Sequence, residues 1–307
     1  MAEAYMFPTS VKEVQALGWD YIDIILLSGD AFIDHPSFGT AVIARWLQKW
    51  GYRVAVVPQP NWRDDLRDFR KLGKPRLYFG LNAGAMDSMV NHYTASKRLR
   101  HDDAYTPDGK AGARPDYAVT VYTKILKELF PDVPVIIGGI EASLRRFAHY
   151  DYWEDKLLPS ILTESGADLM VCGMGETQIR EIADYLAGGA SGEDLHYIRG
   201  TAYPADAIDG LEEYVELPGY DAIRNNKELL AEAYRLQHEN VDPFYGKTLV
   251  QKNKNDMYIV QNPAAMPLTE EEMDAVYGLP YTRQWHPMYD KAGGIAALEE
   301  VKFSIVS

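Results

Sequence analysis

Five short runs of the chain are apolar at nearly every position: Tyr21–Leu27, Arg53–Val57, Arg76–Gly80, Val133–Ile137 and Asp168–Cys172. Continuous rather than alternating apolarity is what a strand needs when both faces of its sheet are covered, as in a parallel sheet. Between these runs the pattern changes to helical spacing. Val42, Ile43, Trp46, Leu47 and Trp50 follow the first run, with Pro36 suited to an early helical position and Gly51 to the stop. Ala118, Tyr122, Ile125, Leu126 and Leu129 form a second stripe before the fourth run, and Ile179, Ile182, Ala183 and Leu186 a third after the fifth, closed by Gly188–Gly189. Strand alternating with helix predicts a doubly wound α/β fold on a mostly parallel five-stranded sheet, since parallel neighbours require right-handed crossovers. This pattern occupies residues 1–194.

Two stretches depart from it. Leu81–Pro115 is a long insertion on the carboxyl side of a strand, with small residues first, a basic helix-compatible piece (NHYTASKRLR) next, and a turn-rich end. Insertions of that length are more often functional than filler. Residues 195–307 read as an α+β extension: strands at Tyr197–Tyr203, Glu213–Leu217, Lys247–Gln251 and Met257–Val260, and a polar helix over Asp221–His238. Thr269 with Glu272 three residues on predicts a capping box opening a helix that runs to Tyr277. Val301, Phe303 and Ile305 alternate with Lys302 and Ser304, the period of a half-buried strand. A strand with nothing after it to pair with predicts a chain that continues in its parent protein.

Composition narrows the function. The 307 residues, 47% hydrophobic, suffice for a packed core without disulfide staples. A net charge of −14 disfavours nonspecific nucleic-acid or anionic-membrane binding. The first 20 residues lack a basic region followed by an apolar one, and no apolar stretch is long enough to span a bilayer, so a cytoplasmic protein without membrane contact is expected. The single cysteine, Cys172, fits a reducing compartment, and one thiolate cannot hold an iron–sulfur cluster. Its place in an apolar strand marks it as a small hydrophobe, and no metal site is expected in this chain.

Candidate chemistry gathers at the carboxyl ends of the predicted strands, where α/β sheets bind ligands. Gly138 and Gly139 close the fourth strand and lead into Glu141 and Ser143; Gly173 and Gly175 close the fifth, with Glu176 opening a helix. Such glycines admit positive φ and let a ligand reach the backbone, although tight turns alone would account for them. Arg145 and Arg146 could pair a carboxylate or phosphate. His149, two residues from Asp151, could be fixed in one tautomer. These ten residues form a candidate ligand-binding rim with no catalytic residue among them. Its ligand could be cobalamin-like or nucleotide-like, or the fold could be a scaffold whose rim is filled by its own Arg145, Tyr152 or Trp153.

Two strings, IIGGIEASLRRFAHYDYWEDK and ADLMVCGMGETQIREIADYL, resemble the radical-SAM proteins of the YgiQ type, and so do GLNAGAMDSMVNHYTASKRLRHDDAYTPDGKAGARPD and QNPAAMPLTEEEMDAVYGLPYTRQWHPMY. The similarity runs over essentially the whole chain. It implies a flavodoxin-like, B12-binding-like domain ahead of a radical-SAM barrel, which would be this fragment's own downstream partner. It also implies a parent enzyme using S-adenosylmethionine and a [4Fe–4S] cluster, with this part binding an unknown small-molecule or macromolecular substrate or serving an accessory role. The family's C-x-x-x-C-x-x-C loop follows a strand like VKFSI, so its three cluster ligands have no counterpart here. The D-x-H-x-x-G motif of cobalamin domains is also broken: Asp34 and His35 are adjacent, with Gly39 four residues on, which leaves cobalamin doubtful.

Overall fold

A computed structural model describes residues 5–302. The five apolar runs become strands β1 (Ile24–Ser28), β2 (Val54–Pro58), β3 (Tyr78–Asn82), β4 (Val135–Ile137) and β5 (Leu169–Val171). All are parallel, adjacent in the order β2-β1-β3-β4-β5. The side-chain period explains their unbroken apolarity. Ile24, Leu26, Val54, Val56, Ile136 and Leu169 enter one core cluster, beneath the helices Gly39–Lys49 and Glu176–Ala187. The intervening Ile25, Leu27, Ala55, Val57, Val135, Ile137 and Met170 enter the other, beneath Ala118–Leu129 and Ile161–Ser165. Every residue of these strands but Asn82 therefore has a buried destination, and a polar substitution on either face would lose about 1.5–3 kcal/mol of side-chain burial.

The sheet does not stop at five strands. Thr201–Ala205 (β6) pairs antiparallel to β5, and Tyr214–Leu217 (β7), Thr248–Lys252 (β8) and Tyr258–Gln261 (β9) continue it. The result is one nine-stranded mixed sheet, β7-β8-β9-β6-β5-β4-β3-β1-β2. The five-strand expectation is corrected for a physical reason. Each strand of the extension is short and recognisable alone, but its pairing onto β5 is a backbone hydrogen-bond match between residues 30 or more apart, such as Met170 with Ala202.

Other differences are local. The helix expected over Asp221–His238 is two, Tyr220–Arg224 and Lys227–Glu239, because the Asn226 side chain accepts the N–H groups of Glu228 and Leu229 and restarts the helix. The basic piece of the insertion is helical only within Ser88–His92, after which Tyr93 bridges to Leu99. The segment before β6 is a 3₁₀ turn over Glu193–Tyr197 rather than strand. The capping box at Thr269 and Glu272 forms and starts the helix Glu270–Tyr277. Val301 ends the helix Ala296–Val301; the rest of the expected terminal strand, with Phe303 and Ile305, lies outside the described residues. Among the described residues no helix is long and apolar enough to cross a membrane.

Candidate functional site

The chain leaves β1 toward one face and β3 toward the other, while the two strands stay paired to their carboxyl ends, Ser28 opposite Asn82. A crevice opens where the winding reverses, the general ligand site of open α/β sheets. In this protein the crevice is a cavity of about 610 Å³. Leu26, Val42, Ile43, Ile137, Val171 and Ile179 supply an apolar wall, and the insertion contributes Gly84 and Ala85. The helices Gly39–Lys49 and Glu176–Ala187 both begin at its edge.

Its polar groups are few. Asn82, the last residue of β3, accepts from Ser28 Oγ (3.2 Å) and from the Gly84 N–H (2.8 Å), and its amide donates to Thr40 Oγ1 (3.0 Å). Asp30 is buried beside Arg114, whose Nη2 lies 2.6 Å from Asp30 Oδ1, and it accepts the Ala85 N–H at 2.6 Å. Burial raises the Asp30 carboxyl to about 6 in spite of that arginine and the amide. Gly84 makes this contact possible: at φ +111°, a Cβ there would lie 2.2 Å from Asp30 Oδ1. Arg114 is itself buried and also holds Asp103 at 3.1 Å. Burial alone would raise Asp103, but Arg114 together with the Tyr105 N–H, Asn91 and Thr106 holds it below the ordinary carboxylate range.

Half of the rim read from the sequence converges on this cavity. Gly138, Gly139, Gly173, Gly175 and Glu176 all line it. Gly175 is at φ +87°, and a Cβ there would press on Val171 Cγ1 at 3.0 Å, so the turn into Glu176 requires glycine. Glu176 is 4% exposed, and burial raises its carboxyl above the ordinary range.

The remaining five residues lie off the cavity wall. Glu141 is fully buried and accepts the backbone N–H groups of Ser88 (2.8 Å) and Val119 (2.9 Å), fastening two helix starts; burial, reinforced by Asp87, raises its carboxyl. Arg145 is paired with Asp87 and lies 4.0 Å from Asp151. Arg146 donates to Gln261 Oε1 and to the Ser143 carbonyl, each at 2.8 Å. His149 Nδ1 lies 3.0 Å from the Phe147 carbonyl, not against Asp151, and burial lowers its pKa. Sequence reading passed over Ser28, Asp30, Thr40 and Asn82 as individuals. Their signal was position: Ser28, Asp30 and Asn82 lie in segments that end β1 and β3.

An iron–sulfur cluster does not fit these residues. Cys172 is half-buried, burial pushes its thiol up to about 11, and among the described residues no three His, Cys, Asp or Glu side chains gather as a metal site. This chain therefore offers no ligand set for an iron–sulfur cluster. His35 is fully buried, its Nδ1 accepts the Ser37 N–H at 3.1 Å, and it is not part of the cavity wall. Its Nε2 is buried without a hydrogen-bond partner, and no histidine is among the described residues lining the cavity.

The doubly wound sheet, the crevice at its reversal point and the glycine-rimmed edge define the class: an open α/β domain. The chain belongs to the radical SAM N-terminal family, whose pattern it matches over residues 6–304. It is 51% identical over 307 residues to a UPF0313 protein of Clostridium botulinum (strain ATCC 19397 / Type A), covering all of this chain and 47% of that protein. A UPF0313 protein of Clostridium perfringens (strain 13 / Type A) is 51% identical over 308 residues, with 46% of its length covered. The chain thus spans about half the length of these relatives. Among solved structures, the radical S-adenosylmethionine methyltransferase TsrM from Kitasatospora setae, with tryptophan substrate and a SAM analogue bound, aligns at a TM-score of 0.38 and 20% identity, over 59% of this chain and 28% of that one. The same methyltransferase with cobalamin and a [4Fe–4S] cluster bound aligns at 0.37 and 19%.

Proposed function

We propose that this domain binds a small organic ligand in the crevice at the carboxyl ends of the sheet strands and serves as the substrate-binding or accessory part of a radical-SAM protein. The cavity carries the reading: it is roomy, mostly apolar, rimmed by glycines and placed where this class of sheet holds ligands. A scaffold with a rim filled by its own side chains is disfavoured, because Arg145, Tyr152 and Trp153 are not among the residues lining the cavity. Catalysis would belong to a downstream domain that supplies the thiolates this chain lacks. There a [4Fe–4S] cluster would cleave S-adenosylmethionine reductively.

The test is a protein of the relatives' full length, reconstituted anaerobically with iron and sulfide and reduced with dithionite. The expected result is iron–sulfur absorption and release of 5′-deoxyadenosine from S-adenosylmethionine. A folded, full-length protein that takes up no cluster would sink the radical-SAM assignment of the parent. Cavity binding is tested separately below.

A further inference from the structure

We propose that Glu176 is the recognition carboxylate of the cavity and that its ligand is an organic amine, an apolar body bearing one positive nitrogen. This rests on the cavity being a ligand site and adds the chemistry of what enters it.

The inference starts from charge balance along the wall. Two carboxylates border the cavity, Asp30 and Glu176, and none of the described residues lining it is Lys, Arg or His. Asp30 is compensated from behind by Arg114. Glu176 is not: among the described residues it has no salt bridge or hydrogen bond to another side chain, and its own backbone N–H offsets part of the burial. Yet its residue is 96% removed from solvent, the complement of its 4% exposure. An uncompensated carboxylate in an apolar recess is costly, and a bound cation is the partner that relieves most of that cost.

A capping role does not account for this. Glu13 and Glu272, which cap helix starts through Thr9 or Ser10 and through Thr269, are both held below the ordinary carboxylate range and stay partly open to solvent. Glu176 sits at the first position of its helix but is buried against the cavity, and its carboxyl is raised. The positive end of the helix, equivalent to about half a charge, offsets part of the burial and leaves the rest for the ligand. A phosphate or carboxylate at this end would place two anions in one recess. Apolar contact with Val42, Ile43 and Ile179 would hold the body of the amine.

Three probes sharing one fluorescent ring separate the outcomes: 1-naphthylmethylamine, 1-naphthylmethanol and 1-naphthylacetate, titrated into the 307-residue chain near neutral pH. The amine is expected to bind at least tenfold tighter than the alcohol, and the acetate weakest. Glu176→Gln, nearly isosteric, should bring the amine down to the affinity of the alcohol and leave the alcohol unchanged, with an unaltered far-UV circular dichroism spectrum. Acetate binding as tightly as amine, or an amine preference that survives in the Gln variant, would overturn the role of Glu176 while leaving the cavity a ligand site. If none of the three binds to folded protein, the cavity reading itself fails, and this inference with it. Should the Gln variant misfold, Glu176→Met, which also removes the charge at similar volume, takes its place against the same three probes, with the same outcomes.

Discussion

The guanidinium of Arg45 and the carboxylate of Asp34 form a two-pronged ion pair, Nε to Oδ1 at 3.0 Å and Nη2 to Oδ2 at 2.5 Å, in which neither side chain reaches solvent. Arg45 stacks over Phe7 and donates to the Tyr5 carbonyl, while Asp34 also accepts the Thr282 N–H, so the pair joins the amino-terminal segment, the first long helix and the carboxyl-terminal extension. It engages both carboxylate oxygens of Asp34, so this aspartate is not free to orient the adjacent His35. Arg45→Met should lower stability by about 3–5 kcal/mol, since it strands a buried carboxylate. The double variant Arg45→Met with Asp34→Leu should cost less than the two single changes added together. Urea denaturation of the four proteins measures this; strict additivity would refute the coupling.

Asp30 gives the fold a pH signature. Its folded-state value, about 6, lies above that of an unfolded aspartate, so the folded protein binds the extra proton between them. The contribution of this group to stability is therefore greatest at the acid end of that window and declines as pH rises from about 4 to 6. Asp30→Asn removes the titration. Chemical denaturation of both proteins across that window should show the difference in stability shifting in favour of the Asn variant as pH rises, and a constant difference would contradict it.

Cys172 should be inert in the folded protein. With its thiol pushed up to about 11, almost none is thiolate at pH 8. Ellman's reagent is expected to react within minutes in denaturant and at least a hundredfold more slowly without it. Equal rates would mean that the segment after β5 opens freely.

The helix Glu270–Tyr277 begins with a complete capping box on the protein surface. Thr269→Ala should cost about 1 kcal/mol, and Thr269→Ser much less. Because Val276 of this helix packs into the core and lines the cavity, the Ala variant should also weaken probe binding modestly, by about twofold, without abolishing it. Thermal unfolding with a parallel probe titration checks both, and an Ala variant as stable as the natural chain would count against the cap.

Particular residues show how far the linear pattern carries. Ile24 to Leu27 announce a strand covered on both faces because each successive side chain needs its own core, and that requirement is written in adjacent positions. Gly138, Gly139, Gly173, Gly175 and Glu176 were found by a rule about strand ends, which needs only local order. Arg145 and Glu141 share those local credentials, yet they turn to Asp87 and to the Ser88 and Val119 amides, partners that lie 22 to 58 residues away. The chemistry of Arg145 and Glu141 was legible; its direction was not.

The chain by itself determined the five parallel strands, the helices that cover them, the family resemblance, and the lack of thiolates for a cluster, since each follows from residue type and short-range spacing. Tertiary structure decided the rest. It joined four further strands to the same sheet through backbone pairing that side-chain patterns do not encode. It gave Asp30 an arginine and gave Glu176 no partner side chain among the described residues. Whether a buried charge is compensated depends on which distant groups the fold brings within a few ångströms, and that distinction marks Glu176 as the carboxylate left for a ligand.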